Sequence, residues 1–397
     1  MRALLTCRPL AGHYRPMLPL ARALAEAGHD VAFASGEPIA GEAEAEGFTV
    51  FRAGLAMDSV EPVARRVRDR AASLPPSQVR SFVFTELFIR VELEPRANDL
   101  INITEQWKPH LVVHDVAEFA GPLVATMFGI PYVQHSYGPA IQNDVIRAAG
   151  EAAAPFWSSR GLAPHPLGGF YRYLYLDVCP PSLQVPEPFT GAVQRIRTVE
   201  TRPPATHLPW LDALPDLPIV YITLGTVYNR NLDVFRVLLD GLRDEALNVV
   251  ITVSKQNDPA MLGRQPSNIH VHQYIPQELL LPHCDAVITH GGAGSTFGAL
   301  AFGLPLLIVP QGADHFYNAE RVVAAGAAVQ LMPHRLTADS AREAVRILLH
   351  DDTFREAAHG IKNEFDAMPN PRQAVETLEQ LTAREPGHRS HMSPEFR

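Results

Sequence analysis

Short apolar runs alternate with amphipathic stretches along most of the chain, a pattern that predicts strands feeding helices. The first run, 2–7, is apolar almost throughout, as suits a strand buried on both faces. A helix is predicted at 16–27, with Pro16 at its start and Gly28 just past its end, and a second strand at 30–34. Strand patterns recur at 111–114 and 132–134, on either side of a helix carrying 119–128. Together these elements predict a parallel α/β sheet. The stretch 58–107 has mostly helical periodicity. By contrast, 138–178 reads as irregular and rich in aromatics, Gly and Pro, a composition suited to loops that form a pocket.

The alternation restarts with a strand at 219–224, a helix at 232–243 and a strand at 248–253, followed by strands at 286–289, 305–309 and 328–331 with helices between them. This predicts a second doubly wound sheet. Between the halves lies "TVETRPPATHLPWLDALPDLP", dense in proline and without periodicity, which is expected to be a linker. The expected layout is a first domain at 1–200, a linker at 198–218 and a second domain at 219–368. A break at Pro369-Asn370-Pro371 precedes a last helix at 372–383, and the polar tail 384–397 is expected to be disordered.

Composition narrows the class. A chain of 397 residues exceeds one ordinary core and fits two domains of roughly 200 residues each. A net charge of −9 argues against nucleic acid as a partner, since no basic cluster reaches the scale of a phosphate-tracking groove. The run Arg65-Arg66-Val67-Arg68-Asp69-Arg70 reads as a solvated helix face. Cys7, Cys179 and Cys284 are far apart and fit neither a metal site nor a disulfide framework, which suits a reducing cytoplasm. No apolar stretch approaches the roughly 20 residues that span a bilayer, so a cytoplasmic protein without membrane insertion is expected.

The densest chemistry follows the strand at 286–289. His290-Gly291-Gly292-Ala293-Gly294-Ser295-Thr296 joins that apolar run to a helical one. At such a junction backbone amides are unpaired and the helix dipole favours an anion, so a phosphate or diphosphate fits. Missing side chains at Gly292 and Gly294 allow close approach. His290 adds a donor, and Ser295 and Thr296 add hydroxyls. A tight turn with a capping serine is the plainer alternative. A dinucleotide fingerprint is excluded by Phe297, which stands where a third glycine would be needed, and by the late position of the strand. His13 lies in "CRPLAGHYRP", after the first strand, where open α/β sheets place their ligands. Its imidazole titrates near neutrality and suits proton abstraction from a hydroxyl, although solvent exposure or local capping would also explain a lone loop histidine.

The block "YIPQELLLPHCDAVITHGGAGSTFGALAFGLPLLIVPQGADHFYNAERV" resembles the donor-binding signature of the nucleotide-sugar glycosyltransferases of natural products, especially bacterial enzymes that decorate antibiotics. "GHYRPMLPLARALAEAGHDVAFASG" is similar to that family's opening. The resemblance implies the GT-B fold, two doubly wound Rossmann-like domains facing each other across a cleft, with the last helix crossing back to the first domain. It implies an inverting reaction with His13 as base and Asp115, at the end of "LVVHD", as its carboxylate partner. Glu118 is the substitute acid, and His114 is expected to face the other way.

On the donor side the resemblance assigns Gly225 and Thr226 to a second phosphate-side loop. It assigns Tyr274, Ile275 and Gln277 to the nucleobase segment, with tyrosine where tryptophan is common. Asp314 and His315 take the place of an acidic-polar pair that bonds sugar hydroxyls, and many members carry glutamine where this chain has His315. The expected partners are a dTDP- or UDP-sugar, used as co-substrate with no cofactor and no metal, and an apolar aglycone; a homodimer is left open. Phe82, Phe84, Phe88, Phe156, Trp157, Phe170, Tyr171 and Tyr173 are candidates for the acceptor pocket or, equally, for the core. Two rival classes stand beside this reading: a nucleotide-sugar epimerase of the same architecture, and a non-catalytic nucleotide-sugar-binding partner.

Overall fold

The computed structural model describes residues 1–185, 191–202, 206, 208–225 and 232–383. They fall into two compact units. The first comprises Met1–Cys179, Val185–Thr198 and the segment from Pro369 onward. Its seven strands are β1 (Arg2–Thr6), β2 (Asp30–Ser35), β3 (Thr49–Arg52), β4 (Leu111–Asp115), β5 (Tyr132–His135), β6 (Leu174–Asp177) and β7 (Ala192–Arg195). All pair in parallel, in the order β3-β2-β1-β4-β5-β6-β7. Every residue of β4 and all but the first of β1 are buried, which is why both run apolar without alternation. The edge strands β3 and β7 are short and partly exposed, and the sequence pattern predicts neither.

The stretch 138–178, expected to be irregular, contains the helix Asn143–Ser158 and strand β6. That helix buries Val145, Ile146, Ala149, Ala153 and Trp157 at helical spacing, but Gly150 and Pro155 mask the signal. Gly150 is required by packing: a Cβ there would lie 2.4 Å from the carbonyl oxygen of Pro166. The helix Pro371–Ala383 packs on Leu18–Glu26 within this unit. Arg372 pairs with Glu26 at 2.7 Å, and His29 Nε2 meets Glu379 at 2.9 Å.

The second unit comprises Pro180–Gln184 and Val199–Met368. It holds β8 (Ile219–Thr223), β9 (Asn248–Thr252), β10 (Ile269–His272), β11 (Ala286–Thr289), β12 (Leu306–Ile308) and β13 (Ala328–Gln330). These are parallel in the order β10-β9-β8-β11-β12-β13, with the edge strand β10 absent from the predicted set. Pro180–Gln184, expected within the first domain, packs here instead, because Arg321 donates to the carbonyls of Leu183 (3.0 Å) and Gln184 (2.8 Å). The proline-rich stretch 198–218 is not a free linker over its described part: from Val199 it belongs to this unit, and Asn248 Nδ2 donates to the carbonyls of Pro215 and Leu217. The tail 384–397 lies outside the described residues. Among those described, no helix is long and apolar enough to cross a membrane.

Strand order reverses between β1 and β4 in one sheet and between β8 and β11 in the other. Beyond the carboxyl ends of such strands lies the crevice where open α/β sheets bind ligands.

Candidate active site

In the first unit the segment after β1 is a helical turn, Ala11–Tyr14, rather than the expected loop, and it presents His13 toward the end of β4. His13 Nδ1–H donates to Asp115 Oδ1 at 3.1 Å, with the imidazole 13% exposed and the carboxylate almost fully buried. The ring rests edge-on against Tyr137, centroids 4.9 Å apart. Asp115 also accepts the backbone N–H of Arg8 (2.8 Å) and of Ala117 (2.6 Å). Burial pushes this carboxyl up, but the His13 ring and the two amides outweigh it and draw it down to about 2. An ionised partner on Nδ1 leaves the Nε2 lone pair of His13 as the proton acceptor.

Glu118 does not reach His13. Its carboxylate accepts the amides of Ala120 (2.7 Å) and Gly121 (2.9 Å) at the start of the helix Ala120–Met127, and burial pushes it up to about 7. His114 faces away from Asp115's side of the strand, packing against Phe170 and Tyr132, with burial lowering it to about 4.

Sequence reasoning missed the support beneath this pair. The Arg8 guanidinium makes two bonds to Glu92 (2.8 and 2.7 Å) and lies 4.1 Å from the Phe88 ring centroid. Glu92 is 84 residues away in the chain, so no local pattern reveals the pair. Both residues are buried. Such a pair stabilises little in net terms, but it fixes geometry, because breaking one partner strands the other's charge. Of the acceptor-pocket candidates, Phe84, Trp157, Phe170 and Tyr171 are core residues, while Phe88 and Phe156 are half-buried against that core.

In the second unit β11 ends at Thr289, and the helix Ala293–Ala301 begins with Gly292 as its N-cap. Thr296 N–H makes the first bond back to the Gly292 carbonyl, at 3.0 Å, so the amides of Ala293, Gly294 and Ser295 have no intrahelical acceptor. The glycines differ in purpose. A Cβ at Gly225 or at Gly292 would come within 2.5 Å of the His290 ring, and one at Gly291 would crowd Ile308 and His315. A Cβ at Gly294 would meet nothing within 4 Å among the described residues, so no contact with them requires a glycine there.

His290 is buried, bonded at Nδ1 to the Thr289 hydroxyl (3.2 Å), and lowered to about 3 by burial and by the neighbouring His315. Burial thus favours the neutral form of the ring. His315, expected beside Asp314 on the sugar, turns inward: burial lowers it to about 4, and its ring meets His290. Asp314 Oδ2 accepts from Asn318 Nδ2 at 2.8 Å.

Gln277 donates to the Ser295 hydroxyl at 3.3 Å, and Thr296 is fully buried, with no partner for its hydroxyl among the described residues. Tyr274 is 43% exposed, with Lys255 Nζ 4.6 Å from its ring centroid, and Ile275 is buried. Thr226 lies outside the described residues. Among the described residues no group of three or more His, Cys, Asp or Glu could hold a metal ion.

Known proteins resemble this chain along nearly its whole length. The solved structure of glycosyltransferase VinC in complex with dTDP is 28% identical, with a TM-score of 0.77 over 97% of this chain and 100% of that one. The spinosyn rhamnosyltransferase SpnG, solved with spinosyn aglycone, is 26% identical, with a TM-score of 0.78 over 96% of this chain and 100% of that one. L-demethylnoviosyl transferase of Streptomyces niveus is 35% identical over 388 residues, which cover 95% of this chain and 97% of the relative. The protein is a glycosyltransferase with the two parallel α/β units of the GT-B class. Models of the N-terminal and C-terminal domains of erythromycin biosynthesis protein CIII-like proteins match residues 22–225 and 236–381, and the chain belongs to that family of antibiotic-pathway enzymes.

Proposed function

We propose that the enzyme moves a sugar from a dTDP- or UDP-sugar to a hydroxyl of an apolar natural-product aglycone, with inversion at the anomeric carbon and without a metal or other cofactor. The observation that carries this reading is the His13–Asp115 pair, a partly exposed imidazole whose Nδ1–H is held by a buried carboxylate. Nε2 takes the acceptor's hydroxyl proton as that oxygen bonds to the anomeric carbon. The bond from that carbon to the diphosphate breaks on the opposite side, and Asp115 stabilises the imidazolium that forms.

The leaving diphosphate is received by the amides of Ala293, Gly294 and Ser295, with Gly225 and the His290 N–H beside it; Thr226 is assigned to this role by the family resemblance alone. Tyr274 stacks on the nucleobase, the Ile275 backbone and Gln277 hold its segment, and Asp314 bonds the sugar. The dTDP in the VinC structure supports a thymidine-type donor, and the aglycone in the SpnG structure supports an apolar acceptor.

Mass spectrometry of the enzyme with dTDP- and UDP-sugars and a panel of hydroxyl-bearing aglycones tests the reaction. NMR of the product gives the anomeric configuration. Wild type is expected to give one inverted product, and His13→Ala to lose roughly a hundredfold to ten-thousandfold in rate. Retained turnover in His13→Ala, or retention of configuration, contradicts the reading.

A further inference from the structure

The helix His315–Ala324 begins against the glycine loop, and its first residue is 4% exposed. His315 Nδ1 accepts the backbone N–H of Gln311 (3.3 Å) and of Gly312 (3.2 Å), so the neutral ring carries its proton on Nε2. Its ring meets His290 edge to face, with centroids 4.5 Å apart and planes at 86°. One turn along, Asn318 Nδ2 donates to the Gly291 carbonyl (2.9 Å) and to Asp314 Oδ2 (2.8 Å). His290 itself is closed in by Gly225 and Gly292, neither of which leaves room for a methyl group. A buried ring in this place has little surface to offer a sugar, but it touches both the 311–314 turn and the histidine on the glycine loop.

We propose that His315 is a positioning residue for the diphosphate and not a sugar ligand: Nδ1 ties down the 311–314 turn, while the ring edge sets the plane of His290. Edge-to-face contacts of this kind favour one relative orientation of the rings, and a donor held in advance costs no reorganisation when the anion arrives. The inference rests on the reading of the His290 corner as the diphosphate site.

The test uses dTDP, which has no sugar, titrated calorimetrically into the full-length protein. His315→Asn keeps an acceptor for the two amides but removes the ring, whereas His315→Phe keeps a ring edge but removes the acceptor. Each should weaken dTDP binding, with His315→Asn losing about tenfold, the size expected for coupled residues in contact. In a His290→Asn background His315→Asn should add almost nothing, an outcome that a merely structural role would not produce. Wild-type dTDP affinity in both variants, with the KM for the dTDP-sugar alone raised, would overturn the proposal in favour of a sugar contact. Losses that add in the double variant would also overturn it. Failure of the wild type to bind dTDP would instead remove the reading of the site on which the proposal rests.

Discussion

The two units place a histidine at the same topological point and surround it in opposite ways. His13 follows β1 and meets the end of β4, while His290 follows β11 beside Gly225, which follows β8; each lies where its sheet's strand order reverses. Around His13 the chain gathers charge: Asp115 on the ring, then Arg8 bonded to Glu92 behind it. Around His290 it gathers glycines and free amides, and it pairs the ring with a second histidine that burial keeps neutral. A group that must accept a proton gains from an ionised partner, which stabilises the imidazolium. A group that must receive an anion gains from neutral donors and dipoles that can be buried without a counter-charge. Under the proposed function the contrast divides the work: proton handling in the first unit, anion handling in the second.

The sharpest way to break this comparison is at Asp115. Asp115→Asn should lower the transfer rate roughly a hundredfold or more by releasing the tautomer of His13, with dTDP affinity unchanged by calorimetry. A smaller and more discriminating effect is expected at Gly294. Because nothing among the described residues crowds that position, Gly294→Ala should leave stability unchanged or raise it by up to about 1 kcal/mol of helix propensity, read as an unchanged or higher melting temperature, while weakening dTDP binding severalfold. Equal dTDP affinity would show that no anion approaches that amide.

The smallest effect concerns Glu118. Burial raises its carboxyl in the folded state to about 7, from an ordinary value of 4.5, so the folded chain holds a proton that the unfolded chain has released. This contribution is complete below the unfolded value and is lost as pH rises through the folded one. Thermal melts of wild type should therefore decline between about pH 5 and 7 relative to Glu118→Gln. Parallel melting curves would show that Glu118 titrates normally.

How much of this was legible in the sequence follows from the same division. The buried strands β1, β4, β8 and β11 announce themselves as continuous apolar runs because helices cover both faces, and the glycine turn after β11 stands out because several glycines coincide with His, Ser and Thr. The edge strands β3, β7 and β10 are short and half-exposed, so their periodicity is lost in the background. The helix Asn143–Ser158 is disguised by Gly150, whose reason is a backbone passing 2.4 Å from where its Cβ would be, and that requirement arises in tertiary structure. The family resemblance, not spacing alone, suggests His13 with Asp115. It could not show Arg8 reaching Glu92, nor that His315 turns inward, since the direction of a side chain at a helix start depends on the turn it caps.

The central claim is that the proton and the anion are handled by separate sets of residues, and the dissociation constant of dTDP for His13→Ala tests it most directly. The account predicts a value within about twofold of wild type, less than 0.5 kcal/mol, in a protein whose transfer rate has fallen roughly a hundredfold or more. A tenfold weakening in a variant that melts like wild type would contradict it, because His13 would then be part of the anion site.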